Sequence, residues 1–89
     1  MNDRGAELKA NDRITVYATA WCGDCQLARS VLDEHGADYT WIDINEHPEA
    51  QAVVVALNGG HRSVPTIVFP DGSVLVEPTR RELSSRLAD

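Results

Sequence analysis

The chain is short of positive charge, of cysteine and of long apolar runs. Its 89 residues carry eight lysines and arginines against fourteen aspartates and glutamates, a formal net charge of −6. Surfaces that grip phosphate backbones or anionic lipid need clustered Lys and Arg, so neither nucleic acid nor a membrane is expected as a partner. The adjacent pair Arg80-Arg81 reads as the solvated start of a helix. The longest uninterrupted apolar stretch, Ala52 to Leu57, is far short of the roughly 18 residues that cross a bilayer. The opening residues MNDRGAELKAND lack the apolar segment and small-residue cleavage site of a secretory signal. A cytoplasmic location is therefore expected, with thiols reduced at rest. There are two cysteines in all, and a bridge closing so short a stretch would constrain little of the unfolded chain. A disulfide scaffold is not expected on that ground.

What is present is the composition of a folded domain, 43% hydrophobic and 25% charged. The length suits one modest core and one domain, expected over residues 13–89 and preceded by a frayed segment, 1–12. Arg13 to Ala18 reads as a first strand, rich in β-branched residues. From Asp24 to His35, Leu27, Ala28, Val31 and Leu32 recur at helical spacing, and Gly36 offers a stop. Asp38 to Ile44 alternates as a second strand. Asn45 can cap a second helix with Pro48 in its first turn, Ala50, Val53, Val54 and Leu57 on one buried face, and a break at Asn58-Gly59-Gly60. TIVF and SVLV read as strands joined by a tight turn at Pro70-Asp71-Gly72, and Thr79 with Glu82 has capping-box spacing for a last helix carrying Leu83 and Leu87. The order β-α-β-α-β-β-α is α/β. Its early strand-helix-strand unit demands parallel pairing and its late hairpin antiparallel pairing, so a four-stranded mixed sheet flanked by three helices is expected.

Both cysteines fall in the pentad WCGDC, Trp21 to Cys25, between the first strand and the first helix. Disulfide exchange needs an attacking thiolate and, in its two-thiol form, a second thiol near enough to displace the product. Two residues between cysteines at a helix start supply both. The first sulfur lies beyond the first turn among free backbone N–H groups, and the second lies one turn in and partly covered. Cys22 is accordingly expected as the nucleophile and Cys25 as the resolving thiol. A zinc half-site would need two more ligands, and His35, His47 and His61 are not spaced to give them.

Asp24 sits between the thiols. At about 7 Å its carboxylate opposes a thiolate at Cys22 by about 2.4 kcal/mol at an effective dielectric near 20. Half a unit charge from the helix N-terminus at about 4 Å favours it by about 2, so the two effects nearly cancel. Asp24 is equally well read as a simple complement to the helix dipole. Further along, SVPT places Pro65 at the opening of the third strand.

With VYATAWCGDC, NGGHRSVPT and FPDGSVLVEPT on the page, the chain resembles the thioredoxin superfamily, and within it the glutaredoxin-like branch called mycoredoxins, from about Arg13 to Leu87. The resemblance implies a thioredoxin-like fold and a cytoplasmic, monomeric thiol-disulfide oxidoreductase with no bound cofactor. In that family the first cysteine attacks the mixed disulfide between a protein and mycothiol or another low-molecular-weight thiol, a second small thiol frees the redoxin, and a reductase restores the thiol. It assigns attack to Cys22 and the second thiol to Cys25, a cis bond facing the active thiol to Pro65, and backbone hydrogen bonds to substrate to Val64. Arg62 matches a basic position beside the thiol-binding groove, with a carboxylate as its partner, and Trp21 matches an apolar rim for docking proteins. This chain departs from the pattern twice. Asp24 replaces a usual aromatic, and Val76-Glu77-Pro78-Thr79 stands where glutathione-using members carry two glycines and an acidic pair. Two other readings use the same cysteines: a redoxin fed by thioredoxin reductase that serves ribonucleotide reductase or other disulfides, and a module sharing an iron–sulfur cluster between two chains.

Overall fold

The computed structural model describes residues 13–88, so the segment expected to fray, 1–12, lies outside the described residues. The chain runs β1 (Ile14–Ala18), α1 (Gly23–Glu34), β2 (Tyr39–Asp43), α2 (Pro48–Leu57), β3 (Thr66–Val68), β4 (Val74–Val76) and α3 (Arg80–Ala88). The strands form one mixed sheet in the order β2-β1-β3-β4. β1 pairs in parallel with β2, and the β1–β3 and β3–β4 pairs are antiparallel, as the element order requires.

Period-2 alternation divides β1 between two cores. Ile14, Val16 and Ala18 join Ala28, Val31 and Leu32 of α1, Leu83 of α3, Ile67 and Phe69 in one buried cluster. Tyr17 and Ile42 point to the other face, where they pack on Ile44, Ala50 and Val54. The helix ends follow local chemistry. Gly36 takes φ +65, a conformation glycine adopts without penalty, and the Ala37 N–H closes back on the Leu32 carbonyl at 3.0 Å. The capping box of α3 forms as expected, with Glu82 N–H donating to Thr79 Oγ1 at 3.0 Å and Thr79 N–H to Glu82 Oε1 at 2.8 Å.

Two expectations about α2 fail. Asn45 is not its cap: the N-cap is His47, which makes no side-chain cap bond. Asp43 instead folds the chain into a turn, accepting from the Asn45 N–H at 2.8 Å, and the helix starts only where Pro48 presets φ. Nor are all four apolar residues on one buried face. Ala50 and Val54 are buried, but Val53 and Leu57 are 41% and 45% exposed. α2 is apolar nearly all round from Ala52 to Leu57, so its pattern could not select the side that meets the small second core.

Candidate active site

α1 begins where β1 ends, and its first residue is preceded by Cys22 as N-cap. The cap is made by sulfur: Cys22 Sγ accepts from the Cys25 N–H at 3.2 Å, occupying the place an oxygen takes in an ordinary cap. A helix start thus aims one of its free donors at the sulfur, where negative charge appears in exchange chemistry. Cys22 is half-buried and Cys25 fully buried, one turn into the helix. Both are free thiols. Burial pushes the Cys25 thiol up from 9.0 to about 12, the Cys22 hydrogen bond adds to the rise, and hydrogen bonds from Thr19 oppose it. Cys25 therefore holds its proton at neutral pH.

The loop between α2 and β3 comes up to the thiol at residues 63–66. The Val64–Pro65 peptide bond is cis, and the Val64 carbonyl lies 3.9 Å from Cys22 Sγ. Pro65 is buried, and its carbonyl accepts from the Glu77 N–H at 2.9 Å, which ties the loop to the end of β4. Among the described residues nothing accepts from the Val64 N–H. Trp21 is 79% exposed and not part of the core. Asp24 is exposed in the first turn of α1. Arg62 is exposed and donates to Asn45 Oδ1 at 2.6 Å, which fixes its guanidinium beside the turn that precedes α2. The structure thus brings Cys22, Cys25 and Val64 together, with Pro65 behind them and Trp21 and Asp24 beside them. Among the described residues no three His, Cys, Asp or Glu side chains gather in a metal-holding group.

Four residues of the site escaped the sequence reading. Thr19 bonds Cys25, and Gln26 Nε2 reaches back to the Ala20 carbonyl at 3.2 Å to clasp the loop before Cys22. Asn58 and Thr66 hold the 63–66 loop. Thr66 did carry a signal, since a hydroxyl inside the apolar run PTIVF must find partners once buried.

A half-buried sulfur capping a helix, a buried second thiol one turn on and a cis-proline loop beside the first define a two-cysteine site on a thioredoxin-like fold. Comparison with known proteins agrees. The glutaredoxin family model matches residues 14–75. A Mycobacterium tuberculosis protein named for the glutaredoxins is 38% identical over 74 residues, 83% of this chain and 88% of that one. Mycoredoxin 1 of Corynebacterium glutamicum is 35% identical over 74 residues, 83% of this chain and 91% of that protein. The crystal structure of the glutaredoxin from Methanosarcina mazei Go1 shares the fold, with a TM-score of 0.73 at 21% identity over 89% of this chain and 81% of that one. The chain belongs to the glutaredoxin family, and its chemistry is that of a thiol-disulfide oxidoreductase.

Proposed function

We propose that this protein reduces mixed disulfides between proteins and a low-molecular-weight thiol, mycothiol, with Cys22 as the attacking residue. Cys22 thiolate attacks the small-thiol sulfur of the mixed disulfide; the protein thiolate leaves, takes a proton, and Cys22 is left joined to the small thiol. A second small thiolate attacks that sulfur, releasing the symmetric small disulfide and restoring Cys22. A reductase then returns the small disulfide to two thiols. The observation that carries this reading is the inequality of the two sulfurs: one is half-exposed and faces a helix N–H, the other is buried and protonated. The Val64 N–H, without an acceptor among the described residues, and the Val64 carbonyl supply a short edge on which a substrate backbone can pair. The relative named mycoredoxin supports mycothiol as the donor. Residues 13–89 act as one domain in the cytoplasm, with Trp21 as the apolar rim and Arg62 offered to a carboxylate of the small thiol.

The test supplies one protein mixed disulfide with either mycothiol and its reductase or thioredoxin reductase. Mycothiol is expected to sustain turnover, Cys22→Ser to lower it by roughly a thousandfold or more, and Cys25→Ser to retain it. Turnover with thioredoxin reductase alone, lost in Cys25→Ser, would replace this reading by the two-thiol one.

A further inference from the structure

The loop that faces Cys22 makes few backbone bonds of its own, so something else must hold it. Thr66 is the one buried polar side chain among the described residues, with no exposure at all. Its hydroxyl donates to the Ser63 carbonyl at 2.7 Å and accepts from Asn58 Nδ2 at 3.1 Å. The same Nδ2 donates to the Val54 carbonyl at 2.9 Å, in the last turn of α2. One hydroxyl therefore ties both ends of the Val64-Pro65 dipeptide together, and one amide ties that hydroxyl to the end of a helix. The Val64 carbonyl, 3.9 Å from Cys22 Sγ, is the part of the loop this clasp presents to the thiol.

We infer that Asn58 and Thr66 are positioning residues for substrate, holding the Val64 backbone at the distance from Cys22 at which a disulfide-bearing segment can pair with it. Neither touches the sulfur or the substrate. Both act through the loop, and a buried hydroxyl with two partners permits one loop position where an apolar side chain of the same shape permits several. The inference rests on the disulfide-exchange reading and adds to it the residues that set how substrate is gripped.

Steady-state exchange with an uncharged peptide carrying a small-thiol mixed disulfide tests it, beside the alkylation of Cys22 by iodoacetamide, which needs no backbone edge. Thr66→Val is expected to raise KM about tenfold with kcat within about twofold, and Thr66→Ser, which keeps the hydroxyl, to stay within about threefold of the parent. Alkylation rates should agree within about twofold throughout. Asn58→Ala leaves the Thr66–Ser63 bond in place and should raise KM about threefold, and the double variant should be no worse than Thr66→Val. Should Thr66→Val not fold, Asn58→Ala decides alone. An unchanged KM in the folded variants overturns the inference, as does a serine variant as impaired as the valine one. A parent protein that does not exchange the peptide at all overturns the disulfide-exchange reading, and with it the inference.

Discussion

The two faces of the sheet are built unequally. On one, α1 and α3 press Val31, Leu32 and Leu83 against Ile14, Val16, Ile67 and Phe69, and Cys25 is buried among them. On the other, the buried cluster among the described residues is Ile44, Ala50 and Val54, with Val53 and Leu57 left facing out. Val64 packs against both clusters. The site lies on that seam. The thick face holds the helix that carries both sulfurs, and the thin face holds the loop that meets them, through Asn58 at the end of α2. If the proposed positioning role of Asn58 and Thr66 holds, stability and substrate positioning are carried by opposite sides of one sheet and can be altered separately.

The largest effect that sharpens this contrast is alkaline. A buried thiol whose folded-state value lies near 12 and whose ordinary value is 9.0 binds its proton more tightly in the folded chain. The stability this contributes is fully present below about pH 9 and is lost as pH rises toward 12, on the order of 4 kcal/mol over the interval. Urea unfolding of the parent should therefore weaken with pH by more than that of Cys25→Ala, which has no proton to lose. Parallel curves would show that the thick face does not keep this thiol neutral.

Next in size is a matched pair of substitutions, since Val31 and Val54 are both wholly buried and lie on opposite faces. Removing two methyl groups costs their transfer free energy plus whatever cavity remains, and a thin core beside solvent collapses more readily. Val31→Ala should cost about 3 kcal/mol and Val54→Ala about 2 in urea unfolding. Activity should rank them the other way, with KM raised severalfold by Val54→Ala, which loosens the packing of the helix turn whose backbone carbonyl accepts from Asn58, and unmoved by Val31→Ala. If KM follows stability in both, the division of labour between the faces is wrong.

Much of this was legible because periodicity and punctuation are local. Leu27 to Leu32 at helical spacing, Gly36 after them, and Thr79 with Glu82 define elements without reference to anything distant. Cys22 and Cys25 were legible for the same reason: their chemistry depends on a strand before them and a helix start beneath them. The buried side of α2 was not, because Ala52 to Leu57 is apolar in every direction and only the size of the second core decides what it covers. Asn45 looked like a cap because its type suits one, whereas Asp43 had already claimed the turn. Asn58 and Thr66 were read as a helix end and a strand residue. Their bond joins two elements across a loop, and no spacing rule encodes that.

Asp24 gives the smallest effect and the one that most directly probes the seam. It is exposed in the first turn of α1, two residues after the cysteine whose sulfur caps the helix. If it acts on Cys22, neutralising it should ease the thiolate. Asp24→Asn would then speed iodoacetamide alkylation at pH 7 by about threefold near 0.01 M salt, and by almost nothing at 1 M, where the screening length falls to about 3 Å. If it only complements the helix dipole, the same substitution should leave the alkylation rate unchanged and cost about 0.5 kcal/mol of stability. The two outcomes differ in kind, since one is a salt-dependent rate and the other an equilibrium loss. A rate gain that persists at 1 M salt would contradict both, because an exposed carboxylate acting through solvent cannot outlast its own screening.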